Sequence, residues 1–457
     1  MAKKVTAVFD IGKTNKKFFL FDKNFKEVFR EYNRFDEIED EDGYPSEDLA
    51  SLQKWLKGVF DRIQKSRDFD VKAINFSSYG ASFVHLNEVG QVVTPLYNYT
   101  KPLPEAVSAS FFEKYGPEET FCRDTGAFSA GMLNSGMQLY WLKHTRPEVF
   151  QSIRYSLHLP QYLSYLFTGV PVSDYTSIGC HTALWDYEQG DYHQWVYTEG
   201  MHRILPPVVS TETSINMNYR GKRMKVGVGI HDSSSALLPY IRSVKKKFIL
   251  LSTGTWSIAL NPFSTDSLTV EDVKEGCLNY MRINGKPIKA SRLFLGEEYK
   301  MQTQELSARY EVPRDLHKSI GFDPEVHQKV MENFRPRFHW KVLNAPDLPE
   351  RTEIPFDNFR EAYHQLMLEL VHLQAENIRK AAGGQQIKRL YVDGGFTGNK
   401  LFLELLSQAL PEMKIRTTDA SLGSALGAAV VISDSELHPE FLKENYAMKK
   451  HSPLIVK

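Results

Sequence analysis

The sequence has few cysteines, no net charge and no long apolar runs. The 457 residues contain three cysteines, Cys122, Cys180 and Cys277, which lie far apart without a CxxC pair. This disfavours a zinc ribbon and a disulfide framework and favours a reducing cytoplasm. Lys plus Arg and Asp plus Glu both number 56, so the chain lacks the charge expected of a general nucleic-acid binder.

We expect neither a membrane-spanning helix nor a secretory signal peptide. The longest small-apolar run, around Leu426, is far shorter than the roughly 20 residues of a membrane-spanning helix. The amino terminus carries positive charge, but Asp10 interrupts it before an apolar stretch of signal-peptide length develops. We therefore expect a cytoplasmic protein with no membrane partner and no nucleic-acid partner.

The two commonest nucleotide-binding loops are also missing. No GxxxxGK[ST] loop and no GxGxxG fingerprint occurs in the chain. The absence of the second disfavours a nicotinamide enzyme. A phosphate group can still be held by a short turn whose backbone N–H groups and hydroxyls converge on one point.

Two halves of the chain follow the same order of patterns. The first opens with the strand-turn-strand VTAVFDIGKTNKKFFLFD, and the second opens with KKFILLSTGTWSIALNP. Farther along each half, KAINFSSYG and IKRLYVDGG are apolar strands that run into loops containing glycine. With helical patterns between the strands, this predicts a mixed α/β protein of two domains, residues 1–244 and 245–457.

Two helices are predicted in the second half. From Phe359 to Ile378, apolar side chains recur at the spacing of one helix face, which predicts a buried stripe. After the Gly394-Gly395 turn a second amphipathic helix begins, and Thr397 is the expected cap of its first turn.

The turn after the first strand is a candidate phosphate loop. Glycine lets a ligand approach the backbone, the small polar residues supply donors, and lysines supply charge. Asp10, at the end of the strand, is placed to hold a hydrated magnesium ion. The turn residues concerned are Gly12, Lys13, Thr14, Asn15, Lys16 and Lys17. A plain hairpin turn is the alternative, although STGTW provides a second candidate.

Two further segments have chemistry-bearing residues at strand ends. In YVDGGFTGNKLF the paired glycines allow a flat ligand to approach, although tight strand-to-helix turns also use them. In GVGIHDSSSA, His231 and Asp232 precede a helix start, where an aspartate is either an N-cap or a catalytic group.

Taken in order, these segments resemble the FGGY family of carbohydrate kinases. The motifs are FDIGKTNKK, SSYGASFVH, LFTGVPVSDYTS, GIHDSSSA, LSTGTWS, DGGFTGNKLFLELLSQAL and DASLGSALGAAV, and they cover most of the chain. The resemblance implies two ribonuclease H-like domains of the actin, sugar-kinase and chaperone-ATPase fold, with the active site in an interdomain cleft. It also implies ATP and Mg2+ as cofactors.

The resemblance assigns roles to individual positions. Asp232 matches the catalytic base, and Asp10 matches the aspartate that positions magnesium, while Lys13 stands where a hydroxyl residue is usual. The positions implied to bind the nucleotide are Gly12, Lys13, Thr14, Asn15, Lys16, Gly254, Thr255, Gly394, Gly395 and Asn399.

The expected substrate is a small sugar. The HD pair and the SSYGAS loop resemble the rhamnulokinase and fuculokinase branch, which implies a ketose or deoxyketose such as L-rhamnulose, L-fuculose or L-xylulose. Ser82 departs from the branch, which usually has an acidic residue there. The candidate sugar contacts are Tyr79, Ser82, His85, Asp174 and Asp232, and for His85 a strand histidine inside the core is the alternative.

Other functions and assemblies remain open at this point. The same fold also includes kinases for polyols or sugar acids, non-catalytic sugar or nucleotide sensors, and actin-like or chaperone ATPases. The aromatic cluster from Trp185 to His202 fits sugar stacking, core packing or the subunit interface of a homodimer equally well.

Overall fold

The chain forms two compact units. The computed structural model describes residues 2–332, 334–343, 355–434 and 436–451. The first unit comprises Met1–Ser243, Ser267–Ile288 and Leu422–His438. The second comprises Val244–Asp266, Lys289–Ser421 and Pro439–Lys457.

Strands and helices are interspersed along the described residues. The strands are β1 (Lys3–Ile11), β2 (Lys16–Phe21), β3 (Glu27–Asn33), β4 (Ile38–Glu39), β5 (Pro45–Glu47), β6 (Phe69–Ser78), β7 (Phe83–Leu86), β8 (Leu96–Tyr97), β9 (Tyr155–His158), β10 (Ser173–Asp174), β11 (Trp185–Asp186), β12 (Asp191–Tyr192), β13 (Val208–Val209), β14 (Ser214–Tyr219), β15 (Lys222–Gly227), β16 (Ile230–His231), β17 (Ile249–Thr253), β18 (Ser257–Asn261), β19 (Cys277–Met281), β20 (Pro287–Leu293), β21 (Arg389–Gly394), β22 (Lys414–Thr417) and β23 (Lys449–Lys450). The α-helices are α1 (Leu49–Lys65), α2 (Glu105–Tyr115), α3 (Glu118–Thr125), α4 (Ser135–Thr145), α5 (Pro147–Gln151), α6 (Leu159–Thr168), α7 (Tyr175–Ile178), α8 (Gln194–Thr198), α9 (Asp232–Ser243), α10 (Val270–Lys274), α11 (Leu295–Arg309), α12 (Pro324–Glu332), α13 (Phe359–Ala382), α14 (Lys400–Ala409), α15 (Gly423–Val431) and α16 (Phe441–Asn445).

The main sheet of the first unit is mixed. Its strand order is β14-β15-β6-β1-β2-β3, and β16 also pairs with β6. Strands β1, β2 and β3 form an antiparallel meander, whereas β6 runs parallel to β1, β15 and β16. Parallel neighbours end at the same edge of a sheet, so the loops after β1, β6 and β16 lie together.

The sheet of the second unit repeats this plan. Strands β17, β18 and β20 form an antiparallel meander, and β21 runs parallel to both β17 and β22. Strand β23 then pairs antiparallel with β22. The repeated order of antiparallel and parallel pairs confirms the predicted α/β fold of two domains built on a duplicated plan.

Aromatic packing fills the core of the first unit. Phe9 is fully buried on β1, with Phe18 at 4.7 Å and Phe76 at 6.1 Å between ring centroids. The predicted hairpin brings Phe9 and Phe18 together because they are directly opposite in the β1–β2 register.

The aromatic cluster from Trp185 to His202 belongs mainly to the core. Trp195 is fully buried and donates its indole N–H to the carbonyl of Ala183 at 2.8 Å. Trp185 is also buried, whereas Tyr197 remains 38% exposed. Of the three interpretations of this cluster, core packing accounts for the two tryptophans.

Helix α13 forms the central part of the core of the second unit. The side chains of Phe359, Tyr363, Leu366 and Leu370 are buried on the face predicted from the sequence. The Asn358 side chain caps the first turn by accepting the N–H of residue 361.

One predicted cap is wrong. Helix α14 is capped by Asn399, whose side chain accepts the N–H of Phe402 at 2.9 Å. Thr397 instead lies in a short 3-10 turn, Gly395–Gly398, and donates its hydroxyl to the carbonyl of Gly394. The extra turn moves the helix start two residues beyond the predicted one.

Helix α15 is tightly held in the first unit. A Cβ on Gly427 would lie only 1.8 Å from the carbonyl oxygen of Ser235 in α9, so the two helices approach at a distance that only glycine permits. The Asn75 side chain of β6 donates to the carbonyl of Ala428 at 2.8 Å. None of the described helices is both long enough and apolar enough to cross a lipid bilayer.

Candidate active site

Three parallel strands of the first unit bring two aspartates to one edge. In the register of β1, β6 and β16, Asp10 is opposite Ser77, and Ser77 is opposite Ile230. Asp232 follows two residues after Ile230, at the same carboxyl edge. The two carboxylates are close enough for the charge of Asp232 to raise the pKa of Asp10.

Asp10 is a buried carboxylate beside one cation. It is 6% exposed, and the Lys17 ammonium lies 3.7 Å from its Oδ2. Burial raises the pKa of Asp10 more than Lys17 and the Ser424 hydroxyl lower it. The sequence predicts Lys17 only as one of three charges in the turn, and the hairpin register places it opposite Asp10.

The turn between β1 and β2 is closed by its own backbone. The N–H of Gly12 donates to the carbonyl of Asn15 at 3.0 Å, and a Cβ on Gly12 would lie 3.2 Å from that oxygen. Thr14 and Asn15 are exposed at the tip. These two residues can therefore meet a ligand without any rearrangement of the turn.

The lysines of this turn face carboxylates. Lys16 is 1% exposed, and its ammonium donates to the carbonyls of Gly12 and Lys13 and to Glu47. Lys13 lies 2.5 Å from Glu37 and 3.3 Å from Glu47. Because its three donors are used internally, Lys16 shapes the turn in this structure, and its contact with a phosphate stays a prediction.

Asp232 is the first residue of α9. Its Oδ1 accepts the N–H of Ser233 at 2.6 Å and lies 3.1 Å from Nε2 of His231. Burial opposes ionisation, but His231 and Ser233 outweigh it, so the pKa of Asp232 lies below its ordinary value. About 35% of the side chain is exposed, which leaves an ionised carboxylate open to a ligand.

The loop after β6 contains two of the predicted sugar contacts. Tyr79 donates its N–H to the carbonyl of Ile11, and its ring meets Tyr99 edge-on at 5.9 Å. Tyr79 therefore lies at the edge where Asp10 and Asp232 are found. Ser82 is 1% exposed and donates its hydroxyl to the carbonyl of Tyr97 at 3.2 Å, so its side chain faces the interior.

His85 lies inside a small sheet. Its ring contacts Phe83, and its Nδ1 lies 2.8 Å from the hydroxyl of Ser156 on β9. Burial lowers the pKa of His85 to about 3, so the imidazole is neutral near pH 7. This placement agrees with the alternative of a core histidine.

Asp174, a predicted sugar contact, is bonded to internal groups in the structure. The residue is fully buried and caps α7. Five donors at 2.6–3.0 Å surround its carboxylate: the N–H groups of Thr176 and Ser177, the hydroxyls of Thr176 and Thr211, and the amide of Gln161. The hydroxyl of Thr176 in turn accepts the N–H of His231 at 3.0 Å. Asp174 thus supports, through Thr176, the backbone of His231 next to Asp232.

Cys180 lies next to His231, a contact that the sequence does not predict. Its sulfur lies 3.1 Å from Nε2 of His231, on the side of the ring that also meets Asp232. The two residues are 51 positions apart. No local pattern could have paired them.

In the second unit the turn after β17 is exposed. Gly254 donates its N–H to the carbonyl of Trp256 at 2.9 Å, and the carbonyl of Thr255 accepts the N–H of Gly296 at 3.1 Å. A Cβ on Gly296 would lie 1.9 Å from the Gly254 oxygen. Trp256 is 42% exposed beside this turn, stacked on Phe294 at 4.3 Å.

The two glycines after β21 differ in what constrains them. Gly394 has φ +90°, and a Cβ on it would lie 2.0 Å from the carbonyl of Thr253. Gly395 is exposed, and a Cβ there would meet only that carbonyl, at 3.8 Å. Gly394 is therefore required by the backbone, whereas Gly395 leaves an open face.

Both polar ends of Asn399 are used inside the second unit. Besides capping α14 through its oxygen, it donates its amide to Tyr363 at 3.1 Å and to Tyr299 at 3.4 Å. The structure thus gives Asn399 a supporting role beneath the Gly395 loop. Its contact with a base stays a prediction.

The donor groups fit a magnesium ion that is shared with a phosphate ligand. Among the described residues, no group of three or more His, Cys, Asp or Glu side chains could hold a metal. Magnesium commonly takes one or two protein carboxylates and completes its shell with water and substrate phosphates. Asp10 fits that mode of binding.

Comparison with known proteins identifies the family. The profile of the FGGY family of carbohydrate kinases, N-terminal domain, matches residues 5–237, and that of the carbohydrate kinase FGGY, C-terminal domain, matches residues 245–440. The rhamnulokinase of Halalkalibacterium halodurans is 23% identical over 433 residues, covering 87% of each chain. The rhamnulokinase of Pectobacterium carotovorum is 23% identical over 447 residues, covering 90% of this chain and 85% of that protein.

Solved structures agree with this assignment. A carbohydrate kinase from Novosphingobium aromaticivorans has a TM-score of 0.80 and 25% identity, with coverage of 100% of this chain and 95% of that chain. The gluconate kinase of Lactobacillus acidophilus has the same fold, with a TM-score of 0.76 and 17% identity over 99% of this chain and 94% of that one. The chain therefore belongs to the FGGY family of carbohydrate kinases and is an enzyme that transfers a phosphoryl group to an alcohol.

Proposed function

We propose that this kinase phosphorylates a hydroxyl of a ketose or deoxyketose, such as L-rhamnulose, L-fuculose or L-xylulose, with ATP and Mg2+. Asp232 is the proposed general base. The observation that carries the proposal is the pairing of an ionised, partly exposed Asp232 with Asp10 at one strand edge.

The low pKa of Asp232 is compatible with this role. The acceptor hydroxyl attacks the γ-phosphorus as the bond to the leaving ADP breaks, and its proton passes to an oxygen of Asp232. Because the transition state is largely dissociative, the hydroxyl loses its proton late and a weak base is sufficient. Asp10 would hold Mg2+, which neutralises charge on the phosphoryl oxygens when bound.

The phosphate and adenosine contacts are proposed on the exposed turns. Thr14 and Asn15 in the first unit, and Gly254 and Thr255 in the second, offer backbone and hydroxyl groups to a triphosphate. The open face of Gly395 is the proposed support for the adenine ring. Lys13, engaged with Glu37, would have to leave that carboxylate to meet a phosphate.

The ketose is favoured by the curated relatives. The two rhamnulokinases described above are similar to this chain over most of its length. A kinase for a sugar acid is the second candidate, because a gluconate kinase is among the similar structures. Tyr79 stays a proposed sugar contact, since it lies at the edge where the two aspartates meet.

The experiment is a screen of acceptors followed by one substitution. Pooled ketoses, polyols and sugar acids are incubated with ATP and Mg2+, and phosphorylated products are detected by mass spectrometry. Asp232→Asn should lower kcat by about 10²–10⁴-fold, the usual contribution of a general base. The exposed Asp191→Asn is the matched control. Isothermal titration calorimetry with ATP reports whether each variant still binds nucleotide.

The outcomes separate the alternatives. Product from sugar acids alone would replace the ketose, and nucleotide binding without any product would indicate a sensor. Wild-type turnover by Asp232→Asn would remove that residue from the mechanism. The cytoplasm remains the proposed location and a homodimer the proposed assembly, which light scattering after size-exclusion chromatography would test.

A further inference from the structure

Cys180 lies between two imidazoles in the first unit. Its sulfur is 3.1 Å from Nε2 of His231 and 3.2 Å from Nδ1 of His181. Cys180 is fully buried and His231 is 4% exposed. The thiol therefore has no solvent partner and interacts only with protein groups.

The hydrogen-bond partners of His231 determine where its proton lies. Nε2 is 3.1 Å from Oδ1 of Asp232 as well as from the Cys180 sulfur. An ionised carboxylate only accepts hydrogen bonds, so Nε2 must carry a hydrogen. The same N–H then forms a bifurcated hydrogen bond, with the sulfur as its second acceptor.

We propose that Cys180 is a positioning residue for phosphoryl transfer, holding the Nε2–H of His231 between its sulfur and Asp232. This rests on the proposed function of Asp232 as the base. When Asp232 takes the proton of the acceptor hydroxyl, it becomes a weaker acceptor, and the sulfur keeps the imidazole in place. Cys180 forms no covalent bond in this scheme, and the proton leaves Asp232 for water after the product departs.

The surrounding backbone is built around this contact. A Cβ on Gly80 would lie 3.0 Å from the Cys180 sulfur and 3.2 Å from the His231 ring. His181 and Ala183 have φ values of +39° and +62°, a conformation that costs free energy in residues other than glycine. Strain that persists next to a reacting group is a common mark of a functional site.

The charges near the pair favour an ionic contact. Burial opposes ionisation of the thiol, but His181 and His231 outweigh it and lower the pKa of Cys180 to about 7. Burial likewise opposes a charge on His231, but Cys180 and Asp232 raise its pKa well above the ordinary value. The titratable groups that face the two residues are Asp232, His181, His158, Tyr187 and Tyr280.

The test compares Cys180→Ala and Cys180→Ser with Cys122→Ser, a buried thiol elsewhere in the unit. In the alanine variant kcat should fall about tenfold while KM changes little, because the base is misplaced but the acceptor site is intact. Serine offers an oxygen acceptor and should restore most of kcat. Cys122→Ser should keep the wild-type kcat.

A second measurement does not depend on turnover. The pKa of His231 is followed by NMR of the 15N-histidine-labelled protein, with His231→Asn identifying the resonance. Loss of the thiolate should lower this pKa by about one unit or more in both Cys180 variants and leave it unchanged in Cys122→Ser. An unchanged His231 titration together with wild-type kcat in Cys180→Ala would overturn the proposal. So would a loss of kcat that follows thermal stability and is not rescued by serine. A wild type that phosphorylates no acceptor would overturn the proposed function, while the NMR titration would still decide whether Cys180 holds His231.

Discussion

Replacing Asp174 separates an internal support from a sugar contact. In Asp174→Asn one carboxylate oxygen becomes an NH2 group that donates where five donors already converge. The least costly arrangement places this NH2 at Oδ1, which accepts from Ser177 and Gln161. Gln161 can turn its amide, because its Oε1 has no partner among the described residues. The N–H of Ser177 cannot adapt and loses its acceptor.

The size of the effect follows from these contacts. A buried N–H without an acceptor costs about 1–3 kcal/mol, and the remaining bonds lose the strength that the charge provides. We therefore expect Asp174→Asn to lower the free energy of unfolding of the first unit by about 3 kcal/mol. For a domain of this size, that corresponds to a decrease of about 6–12 °C in the unfolding midpoint.

The assay is thermal unfolding followed by circular dichroism, with Asp191→Asn as the control. Asp191 is exposed, and its side chain accepts the N–H of Tyr192 and the hydroxyl of Tyr197, so the midpoint of Asp191→Asn should stay close to that of the wild type. Kinetics on the same samples give KM for the acceptor. A wild-type midpoint combined with a clearly higher KM in Asp174→Asn would refute the internal role and restore Asp174 as a sugar contact.

Three further substitutions test other parts of the structure. Gly427→Ala should destabilise the first unit by about 3 kcal/mol, because the added Cβ would meet the Ser235 carbonyl. Gly58→Ala is the control: it has open space around it in α1 and should stabilise the unit slightly. Equal unfolding midpoints for the two variants would contradict the close helix contact. Glu199→Gln should cost about 2 kcal/mol at pH 7. Burial opposes its charge, but Lys114 and Lys143 outweigh it and lower the pKa of this carboxyl, so the difference from wild type should narrow in urea titrations as pH falls below about 4.5; a pH-independent gap would argue against the ion pairs. Asn399→Ala should lower the free energy of unfolding of the second unit by about 1 kcal/mol without nucleotide, and a loss of ATP binding at unchanged stability would show a contact role instead.

Local patterns in the sequence were sufficient to predict the secondary-structure elements and the loops between them. The β1–β2 and β17–β18 hairpins, the strand before Gly394 and the buried face of α13 each depend on residues close together in the chain. Their alternation of apolar and polar positions is set by the geometry of a strand or a helix. The family resemblance then placed Asp10 and Asp232, which the register brings to one edge.

Contacts between residues far apart in the chain could not be predicted from the sequence. From the sequence Asp174 was predicted to contact the sugar, and only the fold surrounds it with Gln161 and Thr211. Lys16 lies in a turn that resembles a phosphate-binding loop, but its ammonium bonds to Glu47, 31 residues away, in the interior. Such long-range satisfaction of buried polar groups is decided by packing, which periodicity does not describe.

The return of the chain to the first unit constrains how this enzyme is made. Helix α15 emerges from the ribosome almost two hundred residues after α9, yet its Ala428 carbonyl receives the side chain of Asn75 and its Gly427 abuts Ser235. During translation, the surface of β6 and α9 that α15 covers stays exposed until nearly the whole polypeptide has been synthesised. A fragment that stops at residue 243 should accordingly need a chaperone or aggregate, whereas supplying the missing helix in trans as a peptide should rescue it.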